Sequence, residues 1–116
     1  MPVLGQPTGR TTTVAYAATV TPNAATTDVL VVGVLTGNLT LVNPTGSPFD
    51  GQSLRIRFQQ DATGSRTVTF GAGYVFGTDV TTALVPTTPS LKWTMLFVWN
   101  ATDSVWQTLA LVRGFA

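Results

Sequence analysis

Clusters of Gly, Pro, Asn and Asp break this chain into short stretches dominated by Thr and Val. The clusters recur about every 8–12 residues, the spacing of a β-sandwich or barrel. Thr and Val are β-branched, stiff at χ1, and fit a pleated surface better than a helix. No window of eleven or more residues carries a capped apolar pattern of period 3.6. The pattern therefore predicts an all-β fold: a single-domain antiparallel β-sandwich, with a jelly roll among the arrangements that fit. The whole chain, 1–116, reads as one domain. Residues 1–10 hold Pro2, Gly5, Pro7 and Gly9 and read as an extended N-terminal arm; 11–116 form the sandwich. At this length about two-thirds of the unfolded surface is buried on folding, enough for one core without a staple.

The strand expectations follow from the same punctuation. They cover 11–20, 28–35, 39–42, 53–60, 65–70, 80–85, 91–99 and 104–112. The clearest alternation is SLRIRFQQ: Leu54, Ile56 and Phe58 point one way, and Arg55, Arg57 and Gln59 the other. Asp61-Ala62-Thr63-Gly64 reads as a hairpin turn, with Gly64 in the left-handed position and Val68 and Phe70 returning on the core face. Two strands are apolar on both faces. In 91–99, Trp93, Met95, Phe97 and Trp99 oppose Leu96 and Val98; in 28–35, Val29 and Val31 oppose Leu30, Val32 and Val34. A free-standing antiparallel sheet would be polar on one side. Such strands are either central in their sheet or covered by another subunit.

Composition narrows function by what is missing. There is no His, no Cys and no Glu, and only 9% of residues are charged. A Ser–His–Asp or Cys–His triad cannot be built, and thiolate or imidazole metal sites are excluded. No disulfide can form. The five acids are all Asp and sit at or beside turns, where Asp accepts hydrogen bonds from nearby backbone N–H groups. No calcium-loop spacing occurs, and the glycines of 71–77 lack the Lys and helix of a phosphate loop. The reading is a non-enzymatic protein with no cofactor and no metal. A net charge of +1 offers no field for nucleic acid or membrane, and no apolar run reaches the roughly 18–20 residues of a span. Low charge with two-faced apolar strands instead suits a subunit of a permanent homo-oligomer.

The run from Asn38 onward resembles a β module of tailed-bacteriophage virion proteins. The residues that carry the resemblance are NLTLVNPTG, DGQSLRIRFQQDATGSRTVTFGAGYVF, LKWTMLFVWN and a Trp in the last strand. The most characteristic part is Gln60 to Phe70. The module occurs in small capsid cement proteins and in tail fibres. The resemblance maps the family's turn to Asp61, Gly64 and Arg66, its returning strand to 67–70, and its late aromatic to Trp106. It departs at GAGYVFG, where many relatives carry Trp and Pro. It implies a structural virion component made in the host cytoplasm. The favoured form is a cement subunit on the outer capsid surface, a homotrimer whose partner is the major capsid protein. The alternative is a tail-tip or tail-fibre domain that binds a host receptor.

Six residues are the interface candidates. Arg55 and Arg57 share one strand face, and Arg66 is expected to face them across the hairpin. They form either a solvated polar face or a contact for a neighbouring subunit or an acidic patch. Tyr74, Phe76 and Trp106 are the aromatics expected at the surface, whereas Trp93 and Trp99 read as core or interface packing.

Overall fold

The computed structural model describes residues 10–115, so the arm expected over 1–10 lies, except for Arg10, outside the described residues. The strands are β1 (Thr11–Val14), β2 (Thr19–Val20), β3 (Val29–Val32), β4 (Leu39–Leu41), β5 (Ser53–Gln59), β6 (Val68–Phe70), β7 (Tyr74–Val75), β8 (Lys92–Asn100) and β9 (Val105–Phe115). They form a six-stranded sheet A, ordered β1-β3-β5-β8-β9-β7, and a three-stranded sheet B, ordered β2-β4-β6.

The fold is all-β, as the alternation and turn signals predict, but the pairing is mixed rather than antiparallel. β1 pairs β3, and β3 pairs β5, in parallel. β2 pairs β4, and β4 pairs β6, likewise in parallel. β7 also lies parallel to β9. Only β5–β8 and β8–β9 are antiparallel. The chain therefore winds as a flattened coil, laying one strand in sheet A, the next in sheet B, and returning over the previous turn. Parallel neighbours need a long connection, and here the strand in the facing sheet supplies it. The expected hairpin at Asp61–Gly64 is not one: β5 and β6 belong to different sheets. The short strand expected over 80–85 is a single 3-10 turn at Thr82–Leu84. The strand expected over 11–20 is two strands, parted at the Ala-rich crossing from sheet A to sheet B. Alanine is a poor strand former, and Tyr16 bridges the crossing by donating its hydroxyl to the Asn38 carbonyl at 2.7 Å.

The two sheets close on one core. Sheet A contributes Leu30, Val32, Leu54, Ile56, Phe58, Trp93, Met95, Phe97 and Trp106, and sheet B contributes Val20, Leu39 and Leu41. β3 and β8, the two strands apolar on both faces, are interior strands of sheet A, and their second apolar face, Val29, Val31, Leu96 and Val98, is half-buried on the outer side of the sheet. Rings join the layers: Phe70 of sheet B lies 6.2 Å from Phe97 of sheet A, and Tyr74 lies 5.0 Å from Phe97 at an edge-on 62°. Arg10 pins the start of the coil. Its Nε and Nη2 grip the Asp28 carboxylate at 2.9 and 2.6 Å, while its carbonyl accepts from the Asp28 and Val29 N–H groups.

Candidate functional site

The motif Gln60 to Arg66 holds the fold together. Gln60 is fully buried and every group of its amide is used. Its Nε2 donates to the Arg66 carbonyl at 2.7 Å and to Pro86 at 3.0 Å, and its Oε1 accepts the Arg66 N–H at 3.1 Å. Asp61 Oδ1 accepts from the Thr63 and Gly64 N–H groups at 3.2 and 2.9 Å, an Asx turn. Its Oδ2 takes Arg66 Nη2 at 2.9 Å. The Arg66 guanidinium, with the two turn N–H groups, holds the Asp61 carboxyl below the usual aspartate range. Gly64 has φ +70°, and a Cβ there would stand 2.8 Å from the Thr87 carbonyl oxygen and the Pro89 nitrogen. Only glycine lets the turn seat against that loop. Arg66 thus belongs to this turn and does not face Arg55 and Arg57.

The aromatics expected at the surface are inside. Tyr74 and Trp106 are buried, paired across β7 and β9. The Tyr74 hydroxyl donates to the Val42 carbonyl at 2.9 Å, and burial pushes the phenol pKa well above its ordinary value. Phe76 is half-buried and packs edge-on against Phe70 at 5.0 Å. The physical reason is that the glycine-rich segment 71–77 is a crossing rather than a projecting loop. Gly73 N donates to Asn43 Oδ1 at 2.8 Å, and its carbonyl accepts from Trp106 N at 2.8 Å. This carries the chain from sheet B to the far edge of sheet A. An aromatic beside glycines looks exposed in a sequence; the spacing of Phe70, Tyr74 and Phe76 was the only available sign of a shared core.

Arg55 and Arg57 are exposed on the outer face of sheet A. The register sets Val29, Arg55 and Leu96 side by side in one row, and Val31, Arg57 and Thr94 in the next. Gln59 stands opposite Lys92, which in turn stands opposite Phe115. Among the described residues the only ion pairs are Arg10–Asp28 and Arg66–Asp61. The three cations of this face, Arg55, Arg57 and Lys92, have none.

Where the last rows meet, a groove of about 400 Å³ opens, with Val31, Arg57, Gln59, Lys92, Thr94 and Phe115 among its lining. That volume is in the range of small-ligand sites. A bulge shapes it. The register of β9 against β8 slips between Lys92 and Trp93, so that Arg113 pairs Trp93 while Phe115 pairs Lys92. Gly114, at φ +90°, is the extra residue. A glycine bulge of this kind re-aims the next side chain, and here it puts the half-exposed Phe115 ring beside Lys92. Arg113 points away from the groove region and donates to the Leu84 carbonyl at 3.3 Å. Lys92, Phe115 and Gly114 are functional candidates that reading the sequence missed. A lone Lys at a strand start and a Gly-Phe near a chain end carry no signal until the register is known.

Among the described residues no three acidic side chains converge where a metal ion could sit. This face offers two guanidiniums, an ammonium, an amide, a hydroxyl and one ring, set among the apolar side chains of Val29, Val31 and Leu96.

Residues 7–91 match the family model described as "Putative phage tail fibre C-terminal domain". No curated protein matches the chain.

Proposed function

The chain belongs to the family of phage tail fibre C-terminal domains, and from that premise we propose that it is an adhesive, non-catalytic domain of a tail fibre that meets the host surface with the outer face of sheet A. Membership makes it a structural component of the virion. The observation that carries the adhesive reading is the unpaired row of Arg55, Arg57 and Lys92 beside a groove, on a sheet whose other face is the core. A cation left without an intramolecular partner is free to meet a ligand, and Arg is enriched where surfaces bind. The aromatics Tyr74 and Trp106 are committed to packing, so this reading does not run through them.

The capsid cement reading expects a different place in the particle. Dissociated virions, separated into heads and tails and probed with an antibody to the chain, should show it in the tail fraction. Purified protein added in excess should slow adsorption of the phage to its host. Recovery in the head fraction, with no effect on adsorption, would overturn the proposal in favour of a shell subunit against the major capsid protein.

A further inference from the structure

We propose that the groove on the outer face of sheet A is a subsite for an acidic saccharide, a glycan chain bearing carboxylate or phosphate groups. This rests on the adhesive reading and names its ligand class.

Charge is the first ground. Arg55 and Arg57 lie two residues apart on β5, so about 6.8 Å separates their stems at the usual strand rise. Lys92 joins the row opposite Gln59, two residues further on. Two of the chain's five acids, Asp28 and Asp61, are committed to Arg10 and Arg66. The segment 1–9 contains no acid that could neutralise the row. The face is therefore a short line of like charges at a spacing that suits successive charged units of a polymer, and its complement is anionic.

Val31, Val32, Phe58 and Trp93 give the groove apolar walls, and the remaining lining groups suit a sugar. Arg57 offers a planar fork that can bind a carboxylate or phosphate through two donors at once. Gln59 and Thr94 supply an amide and a hydroxyl for ring hydroxyls. Phe115, half-exposed and turned in by the Gly114 bulge, presents a ring against which the apolar face of a sugar can lie. A second copy of the chain fits less well. A two-fold contact through this face would set the three cations against their own equivalents, which is repulsive. Nucleic acid is disfavoured too, since three cations neutralise few phosphates.

The test uses the purified full chain and three probes: polygalacturonate for carboxylate, polyglycerol phosphate for phosphate, and dextran as the neutral polymer. Binding to one or both acidic polymers and not to dextran is expected, weakening as salt rises. Arg57→Gln and Lys92→Gln should each lower that affinity about tenfold, with unchanged melting temperatures. Phe115→Ala should lower it without changing the salt dependence, and Asp79→Asn should leave it unaltered. Equal binding to dextran, no binding to either acidic polymer, or full binding by the Arg57→Gln/Lys92→Gln double variant would each overturn the inference. Failure here is separable from failure of the adhesive reading. If the protein blocks adsorption but ignores both acidic polymers, adhesion stands and the acidic saccharide falls. If it binds them through this groove but sits in the head fraction, the groove stands and the fibre assignment falls.

Discussion

At the scale of single residues the buried amide of Gln60 is the most consequential polar group. Removing it strands two carbonyls and one N–H where water has little access, at about 1–3 kcal/mol for each unsatisfied group. Gln60→Leu should therefore cost on the order of 3 kcal/mol in urea unfolding; a loss below about 1 kcal/mol would mean that water replaces the amide. Asp61 makes a pH prediction with a definite sign. Its folded pKa is lowered, first by the hydrogen bond from Arg66. Its contribution is then complete above the unfolded value of about 3.9 and is lost as pH falls through the lower folded value. Melting temperature should drop below about pH 4 from this source, and Asp61→Asn should remove that part of the drop. The Asn would keep the turn's acceptor while losing the ion pair. Much of this was legible: the turn residues Asp61, Gly64 and Arg66 already marked a fold determinant. Their geometry was not, because a Gly-containing turn reads the same whether the chain doubles back or crosses to a facing sheet.

At the scale of elements, β5 shows what alternation can and cannot say. The inward Leu54, Ile56 and Phe58 and the outward Arg55 and Arg57 are placed correctly by period alone. The neighbours of β5 are not, since a period of two is blind to partner and direction. The coil also escaped notice as a repeat because its turns are unequal. Thr11 lies beside Val29, 18 positions on, but Val29 lies beside Arg55, 26 positions on. The Gly114 bulge yields a test at this level. Gly114→Val forces a β-branched residue towards φ +90°, a strain of about 1–3 kcal/mol. It should lower stability by that order and displace the Phe115 ring from Lys92. Proton NMR contacts between the Phe115 ring and the Lys92 methylenes would report it. Their persistence would show that the bulge does not aim the ring.

At the scale of the molecule, the joined rings of Phe70, Tyr74 and Phe97 bind sheet A to sheet B, so neither sheet has a core of its own. Phe97→Ala should cost about 3–5 kcal/mol and still give one transition, with circular dichroism and tryptophan fluorescence coinciding; separate transitions would mean that the sheets unfold independently. Parallel pairing between strands so far apart in sequence also makes folding non-local, with refolding expected over milliseconds to seconds. The coil has a further consequence for how such a domain can vary in length. Each winding lays a new strand at about 4.8 Å from the last, using between 18 and 29 residues here. Growth comes in whole rungs: a winding added at the β1 and β2 edge lengthens both sheets together, whereas half a winding would extend one sheet without the other. The fold is a ruler with fixed divisions, and long-lived changes in its reach should be insertions or losses of complete rungs.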